Sequence, residues 1–471
     1  MNIGKTLCSF LFIAAGAASA ADLDFGRIRP DEISVYVQEL DSGKVIADHR
    51  ADALMNPAST MKLITAFAAF RALGKDYRWT TELKSSGNIA NGVLNGDIYW
   101  VGSGDPVLDQ DGLTAMQQQL RDKGIRKIRG QIALDRSLWG DVKNSAEFAS
   151  DAGRTFMTPP DPNMLAYKTV ALKPERNALG DIEIATNPPL PEIPLENKIV
   201  LVDGSTACKS PDRYIRASYT GGVLRVSGKM PESCLSKEML VNMLGIREFA
   251  GKSFVNQWRQ AGGEISDGLK TAAAPNGAKT LAAHQSKPLA DILADMNIYS
   301  NNLIARSVFL KLGRDRNAET ALSQARRAVR LELGTAGVDA GGLVMENGAG
   351  LSRQSRLSAK MMAQLLEKAY FSPFSQEFIQ TLPRAGMDGT LKTRFKQAGA
   401  NLRLKTGTLK NVRALAGYKL GSKPLLVVAI INSPNSDGLL KDLDKLVSKI
   451  ALPGGESWFE AQISCEKRQR V

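Results

Sequence analysis

Three short motifs, separated by long stretches of chain, constrain this sequence more than any other feature. They are Ser59-Thr60-Met61-Lys62, Ser300-Asn301-Asn302 and Lys405-Thr406-Gly407-Thr408. In that order they supply a serine nucleophile with a lysine three residues later, a second serine with an asparagine, and a cationic strand end. Such a set can acylate and deacylate a serine without a histidine. A fold for this chain must therefore bring three distant segments together.

The residues around the first motif predict the start of a helix. Asn56 is a good N-cap, and Pro57 suits the first helical position. Ser59 would then lie in the first turn, where a backbone N–H can face a developing oxyanion. Lys62 would share its helix face, so the amine could reach the Ser59 hydroxyl. A base must be neutral, and burial together with a nearby cation such as Lys405 would favour the neutral amine.

The histidines argue against a Ser-His-Asp triad. The chain contains two, His49 and His284, and neither lies in a triad-like context. We predict His49 at a strand end and His284 before a helix, each as an ordinary surface or packing residue. Clustered His and Cys ligands are missing from the sequence, so we predict no catalytic metal and no cofactor.

Residues 1–20 have the pattern of a secretory signal peptide. Lys5 gives a positive start, residues 7–18 are apolar, and Ala18-Ser19-Ala20 forms a small-residue cleavage site. The alternative is a membrane anchor, but the apolar run is shorter than the ~20 residues that a spanning helix needs. We therefore expect an exported, periplasmic and soluble mature protein.

The net charge of the chain indicates which kind of macromolecule it could contact. Lys and Arg number 61 against 48 Asp and Glu, which gives a formal net charge of +13. A basic exported protein suits peripheral contact with an anionic cell wall or membrane, although solubility alone is the simpler explanation. Nucleic acid would suit a cytosolic chain, so export argues against it.

The cysteines predict one disulfide. Cys8 lies in the signal peptide, which leaves Cys208, Cys234 and Cys465. Strand-like residues 212–218 and 223–228 surround a Gly-Gly turn, and an antiparallel hairpin there would place Cys208 opposite Cys234. We therefore predict a Cys208–Cys234 disulfide in an oxidising compartment, with Cys465 left over.

The order of secondary structure predicts one interrupted domain. Two early strands at residues 33–39 and 44–49 precede the Ser59 helix, and three late strands end the chain with a closing helix at 439–450. Between them we predict helices at 289–312, 318–332 and 359–370. Early and late strands can form one antiparallel sheet. About two hundred residues after the Ser59 helix are too many for a loop, so they must be inserted domains.

The mature chain resembles the class C low-molecular-mass penicillin-binding proteins, which are D-alanyl-D-alanine carboxypeptidases and endopeptidases. Beyond the three motifs, the resemblance rests on Gly102-Ser103-Gly104-Asp105-Pro106, Asn347-Gly348-Ala349-Gly350-Leu351-Ser352-Arg353 and Gly386-Met387-Asp388-Gly389-Thr390-Leu391. It implies an α/β (α+β) protein: a serine transpeptidase/β-lactamase-like domain, with an antiparallel sheet flanked by helices, and two nested inserted domains rich in β-strands.

The domain bounds that we expect follow from this resemblance. Domain I comprises residues 21–66 and 280–471, after the signal peptide. Domain II comprises residues 67–165 and 240–279, and domain III, nested within it, comprises residues 166–239.

The resemblance also implies a mechanism of acyl transfer on peptidoglycan stem peptides. Ser59 would attack the carbonyl of the penultimate D-Ala, and Lys62 would take its proton. Ser300 would relay a proton to the leaving amine, and Asn302 would bond the peptide backbone. Water would hydrolyse the acyl-enzyme, and a β-lactam would leave a slow acyl-enzyme.

The third motif is expected to bind the charged end of the substrate. Lys405, Thr406 and Thr408 would hold the terminal carboxylate, with Gly407 between the threonines. The oxyanion would lie between the backbone N–H groups of Ser59 and Thr408.

Further residues resemble those that contact a diaminopimelate side chain. Asp151 would pair with its ammonium and Arg353 with its carboxylate, and Phe156 matches a further residue that contacts this end of the stem peptide. Some relatives carry Gln where this chain has Lys410, so its peptide contacts differ there.

Two alternatives remain open from the sequence. One is a β-lactamase, which the inserted domains disfavour. The other is a catalytically weak penicillin-binding sensor or binder of the cell wall, which the intact motifs disfavour. Release of D-alanine would separate the enzyme from the sensor, whereas labelling by penicillin would not.

Overall fold

The computed structural model describes residues 23–151, 154–202, 207–313 and 318–452. The predicted signal peptide at residues 1–20 and Cys465 lie outside them. The chain divides into two compact units. Of the described residues, unit 1 contains those up to Thr60, Gly337–Val344 and those from Gln354, and unit 2 contains those of Met61–Ala336 and Met345–Arg353. None of the helices in the described ranges combines the length and apolar character needed to cross a bilayer.

The strands, numbered along the chain, are β1 Ile33–Glu39, β2 Val45–His49, β3 Thr80–Ser85, β4 Asn88–Ala90, β5 Val93–Asn95, β6 Ile98–Val101, β7 Lys127–Ile128, β8 Ile132–Asp135, β9 Val170–Arg176, β10 Ile182–Asn187, β11 Leu195–Val202, β12 Ile215–Thr220, β13 Val223–Pro231, β14 Met239–Val241, β15 Glu264–Ile265, β16 Leu269–Thr271, β17 Lys279–Gln285, β18 Leu402–Leu409, β19 Val412–Lys419 and β20 Leu425–Asn432.

The α-helices are α1 Lys62–Leu73, α2 Gln110–Asp122, α3 Ile246–Gln260, α4 Leu289–Ile298, α5 Asn302–Gly313, α6 Ala318–Thr335, α7 Ala359–Tyr370, α8 Ser375–Gln380 and α9 Leu440–Ala451. Together with the strands they give the mixed α/β fold class that the sequence predicts.

Unit 1 is built on one antiparallel sheet in the order β18-β19-β20-β1-β2. Early and late strands therefore share a sheet, as predicted, because β1 pairs with β20 along its whole length. Side chains of β1 alternate between two covered faces. Val35 packs in one core with Leu443 of α9, whereas Gln38 donates a hydrogen bond to Glu367 of α7 at 2.8 Å. Helices thus flank this sheet on both faces.

Unit 2 contains the remaining sheets. Their orders are β16-β8-β6-β3-β17, β15-β7-β5-β4, β10-β9-β14 and β11-β13-β12. One apolar core joins them to α2 and α3 and includes the fully buried Trp100, Phe254 and Trp258. Helices α1, α4, α5 and α6 also pack against one another within this unit.

The hairpin between the cysteines is confirmed. Strands β12 and β13 pair antiparallel, with Thr220 opposite Val223, and the turn residues Gly221 and Gly222 both have positive φ. The first strand starts later than predicted, because Pro211–Arg213 form a 3₁₀ turn before it. Beyond the open end of the hairpin, a disulfide joins Cys208 to Cys234.

The single helix predicted at residues 289–312 is wrong. The structure has two helices there, α4 and α5, and Ser300 between them has a left-handed φ of 57°. The Asn301 side chain accepts a hydrogen bond from the Ile304 backbone N–H at 3.0 Å, which caps the start of α5. Apolar residues keep the helical spacing on both sides of the break, so the periodicity alone could not show it.

Candidate active site

The segment that carries Ser59 is tighter than the helix start we predicted. Residues Ala58–Met61 form a 3₁₀ turn, and α1 begins only at Lys62. The side chain of Asn56 does accept a hydrogen bond from the Ala58 N–H at 2.9 Å, as an N-cap would. Ala58, however, has a φ of 45°. An α-helix cannot pass through this left-handed residue, so the predicted start at Pro57 is wrong.

Asn432, at the end of β20, fixes the residues before Ser59. Its side-chain oxygen accepts from the Asn56 N–H at 2.7 Å, and its amide nitrogen donates to the Asn56 carbonyl at 3.0 Å. This paired contact works like one rung of a sheet. It holds the approach to the half-buried Ser59 in register with the sheet of unit 1.

The third motif lies within β18, which continues past it to Leu409. Lys405 is completely buried, and its Nζ donates to the Thr406 carbonyl at 2.8 Å. A Cβ atom at Gly407 would lie 2.6 Å from the Pro57 carbonyl oxygen. Only glycine permits this approach, so Gly407 lets the third motif lie directly against the residues that precede Ser59.

The threonines on either side of Gly407 differ in exposure. Thr406 is buried, and its hydroxyl donates to the Thr390 hydroxyl at 2.9 Å. Thr408 is exposed, as a residue that contacts substrate needs to be. Lys410 is exposed at the turn into β19, beside Asn411, which has a φ of 66°.

Burial lowers the pKa of the Lys405 amine to about 7, whereas an unfolded lysine titrates near about 10.4. Between these values the unfolded chain binds more protons, so the free energy of unfolding should rise with pH. The cost of burying the charged amine is therefore greatest below about pH 7.

Lys405→Met is expected to remove this contribution. The variant should be more stable than the original protein at pH 6, by about 1–4 kcal/mol, with a smaller difference at pH 9. Urea unfolding of both proteins at the two pH values measures it. If the difference in free energy of unfolding between the two proteins is the same at both pH values, the folded protein does not bury a charged amine at this position.

Lys62 meets the second motif within unit 2. Its side chain is fully buried at the start of α1. Its Nζ donates to the Asn302 side-chain oxygen at 2.7 Å and to the Ala349 carbonyl at 2.8 Å. The structure thus brings the predicted base and the predicted amide of the second motif into direct contact.

The second motif lies at the break between α4 and α5. Asn301 serves as the cap, so the next residue, Asn302, begins α5 with its side chain directed at Lys62. The Asn302 amide nitrogen also donates to the Phe156 carbonyl at 3.2 Å. Ser300 is half-buried at the left-handed turn. A continuous helix could not place these three polar residues in this way.

The predicted side-chain subsite residues lie on adjoining segments of unit 2. The Arg353 N–H donates to the Glu147 carboxylate at 2.9 Å, and its guanidinium lies 5.7 Å from the Phe148 ring centre. Asp151 ends the same 3₁₀ segment, which spans Ala146–Asp151. Its carboxylate pairs with Arg154 at 3.2 Å. An incoming ammonium group would therefore compete with Arg154 for Asp151.

Several site contacts were missed by sequence reasoning. The acceptors Ala349 and Thr390 lie inside stretches that we had recognised only as family markers, 347–353 and 386–391. Asn432 had no signal at all. Arg154, three residues after Asp151, could have been suspected from its opposite charge.

The two histidines lie in strands outside the three motif segments. His49 ends β2 with its Nε2 2.7 Å from the Pro30 carbonyl, and His284 lies in β17, where burial lowers its pKa. Within the described ranges, no cluster of three His, Cys, Asp or Glu side chains is arranged to hold a metal ion.

One cavity of the described residues, with a volume of about 1010 Å³, has none of the motif residues in its lining. It lies beside α3 and the ends of β10 and β11. The chemistry of the motifs is instead that of acyl transfer: a hydroxyl on a tight turn, two buried amines, and an amide that contacts one of them.

Comparisons with known proteins agree with this chemistry. Residues 16–448 match the D-Ala-D-Ala carboxypeptidase 3 (S13) family. D-alanyl-D-alanine carboxypeptidase DacB of Haemophilus influenzae is 27% identical over 433 residues, which cover 89% of this chain and 89% of that protein. The D-alanyl-D-alanine carboxypeptidase of Actinomadura sp. is 27% identical over 424 residues, 85% of this chain and 78% of that protein.

A solved structure shows the same fold. Penicillin binding protein 4 of Haemophilus influenzae, in a crystal structure complexed with a novel β-lactam, superimposes with a TM-score of 0.66 at 25% identity. The match covers 89% of this chain and 96% of that one.

Proposed function

Because the chain belongs to the D-Ala-D-Ala carboxypeptidase 3 (S13) family, we propose that it removes terminal D-Ala from peptidoglycan stem peptides through an acyl-serine intermediate. We propose that it also cleaves D-Ala–diaminopimelate cross-links. The observation that carries the proposal is the contact between Lys62 and Asn302, at 2.7 Å. It joins two motifs that lie far apart in sequence, and it holds a buried amine as a base requires.

In the first step, the Ser59 hydroxyl attacks the carbonyl carbon of the penultimate D-Ala while Lys62 takes the hydroxyl proton. The peptide C–N bond then breaks, and Ser300 relays a proton to the amine of the departing D-Ala. The backbone N–H groups of Ser59 and Thr408 stabilise the oxyanion. Two features of unit 1 support this: Ser59 lies on a tight turn, and Thr408 is exposed on the strand that contacts Pro57.

In the second step, water attacks the ester of Ser59, with Lys62 as its base, and the shortened peptide leaves with a new carboxylate. Lys405, Thr406 and Thr408 bind the terminal carboxylate of the substrate before cleavage. Thr390 supports this role, because its hydroxyl accepts the Thr406 proton and so fixes the Thr406 rotamer.

β-Lactams are proposed to acylate Ser59 in the same way. The similarity to penicillin binding protein 4, which was crystallised with a β-lactam, supports this. A ring amide that mimics the acyl-D-Ala-D-Ala end leaves no departing amino acid, so its ester would persist.

We also propose a cellular compartment and a domain organisation for this protein. We place the mature protein in the periplasm after removal of residues 1–20, with its net charge of +13 favouring peripheral contact with anionic cell wall or membrane. We also propose residues 67–165 with 240–279, and residues 166–239, as the two inserted domains. Strand β16 supports the first set, because it pairs with β8 from the other side of the insertion.

Digestion of defined muropeptides by the purified protein tests the proposed function. Release of D-alanine from a pentapeptide, and of free stem peptides from a D-Ala–diaminopimelate dimer, is the expected result. Labelling by a fluorescent penicillin without D-alanine release would instead support a cell-wall sensor. Rapid turnover of penicillin would support a β-lactamase.

Asp151 and Arg353 are expected to contribute to hydrolysis of the stem peptide and not to acylation by penicillin. Loss of either charge-assisted contact should lower the hydrolysis of a diaminopimelate stem peptide by about 10- to 100-fold. Penicillin has no diaminopimelate side chain, so acylation by it should change little. Measuring both reactions for Asp151→Asn and Arg353→Gln gives an internal comparison. Equal losses for drug and peptide would assign these residues to the scaffold.

A further inference from the structure

We propose that a cavity beside Phe156 binds the sugar residues to which the stem peptide is attached. The inference rests on the proposed function and names a further part of the same substrate. The cavity has a volume of about 530 Å³, within the range of about 300–1,000 Å³ that is usual for ligand sites. The described residues that line it are Arg154, Thr155, Phe156, Ala217, Ser218, Tyr219, Leu224, Val241, Asn242 and Met243.

The cavity is linked to the second motif through one backbone group. The Phe156 carbonyl accepts the hydrogen bond from the Asn302 side chain at 3.2 Å, and the Phe156 side chain lines the cavity, with 39% of its surface exposed. The wall thus begins at a residue that touches the catalytic motif. A substrate that reaches Asn302 can extend into the cavity without leaving the protein surface.

One side of the cavity is formed by strands, and the other lining residues lie in loops and a 3₁₀ turn. Tyr219 and Leu224 face each other across the β12–β13 hairpin, and Val241 ends β14, which pairs with β9. Side chains on paired strands are held in place before a ligand arrives, which lowers the entropy cost of binding. This is the property expected of a binding surface.

The chemistry of the lining suits a neutral ligand with many hydroxyl groups. Arg154 is the one charged residue among the described lining residues, and its guanidinium already pairs with Asp151 at 3.2 Å. Hydroxyl groups come from Thr155, Ser218 and Tyr219, and Asn242 supplies an amide that both donates and accepts. The rings of Phe156 and Tyr219 offer apolar faces against which the C–H face of a pyranose ring can pack.

D-Ala, diaminopimelate and sugar follow one another in the substrate in the same order as their proposed contacts on the protein. In a stem peptide, the diaminopimelate residue lies between the D-Ala that is removed and the end that is attached to the sugar. Asp151, proposed for diaminopimelate, lies five residues before Phe156 in the chain. The sugar would therefore follow beyond the diaminopimelate contacts, on the side of the β12–β13 hairpin.

Two substrates that differ only in the sugar test this inference. The kcat/KM for D-Ala release is measured with a free pentapeptide and with the same pentapeptide on its disaccharide. We expect the disaccharide substrate to be favoured by about tenfold, the equivalent of one or two hydrogen bonds. Tyr219→Ala and Asn242→Ala should bring the ratio of the two values close to one and leave hydrolysis of the free pentapeptide unchanged.

Thr220→Ala is the matched control, because Thr220 is exposed on the same strand and does not line the cavity. It should keep the ratio of the original protein. A ratio that Tyr219→Ala and Asn242→Ala leave unchanged would overturn the inference, and so would equal losses for both substrates. Failure of the proposed function has a different result, since neither substrate would then release D-alanine.

Discussion

Ser59→Ala is expected to abolish both D-alanine release and labelling by penicillin. Both reactions begin with attack by the same hydroxyl, and removal of the nucleophile from a catalytic serine typically costs about 10⁶-fold. The fold should be unaffected, because Ser59 is half-buried on a turn that is held by other groups. These are the Thr60 hydroxyl, which donates to the Pro57 carbonyl at 2.8 Å, and the Asn56–Asn432 pair.

Ser42→Ala is a suitable control for this variant, since Ser42 is exposed in the turn between β1 and β2. It should retain full activity and full labelling. Mass spectrometry of the penicillin adduct identifies the labelled residue directly. An adduct on any residue other than Ser59 would show that the nucleophile has been assigned wrongly.

Lys62→Ala is expected to slow acylation by about 10²–10⁴-fold, the usual contribution of a general base. His49 ends β2 and His284 lies in β17, both outside the three motifs in the chain, so we expect neither to replace it. The variant also leaves the Asn302 and Ala349 oxygens without the Lys62 donor, so a loss of stability of about 1–3 kcal/mol should accompany the loss of rate.

Stopped-flow acylation, with thermal unfolding of the same samples, separates the two effects of Lys62→Ala. The loss of rate should persist at temperatures far below the unfolding transition. Lys44→Ala, a change at an exposed lysine, should alter neither quantity. Near-normal acylation in Lys62→Ala would remove this residue from the mechanism and require another base.

The regular elements were the most predictable part of the structure. Helix α7 begins and ends where its spacing predicts, at Ala359 and Tyr370, and the apolar run of β20 marks a strand that is buried on both faces. The two errors near the site share a cause. Ala58 and Ser300 both have positive φ, a conformation that alanine and serine seldom adopt and that the spacing of apolar residues does not indicate.

The candidate site was predictable in its side chains but not in its backbone groups. The hydroxyls, amines and amides of the motifs are visible in the sequence because few residue types carry such groups. The Ala349 carbonyl that accepts from Lys62, and the Phe156 carbonyl that accepts from Asn302, belong to a group that every residue has. Only the folded chain shows which carbonyls are used.

The adjacent residues Asn301 and Asn302 have a consequence for the chemical ageing of this protein. Deamidation replaces an amide nitrogen by oxygen and makes aspartate with almost no change in shape. At Asn301 the helix cap would survive, because aspartate is an equally good N-cap. At Asn302 the new carboxylate would face the Lys62 amine, now 2.7 Å from the amide oxygen, and hold it in the protonated form. Stored protein would thus lose its base, and Asn302 would also lose the N–H group that donates to the Phe156 carbonyl.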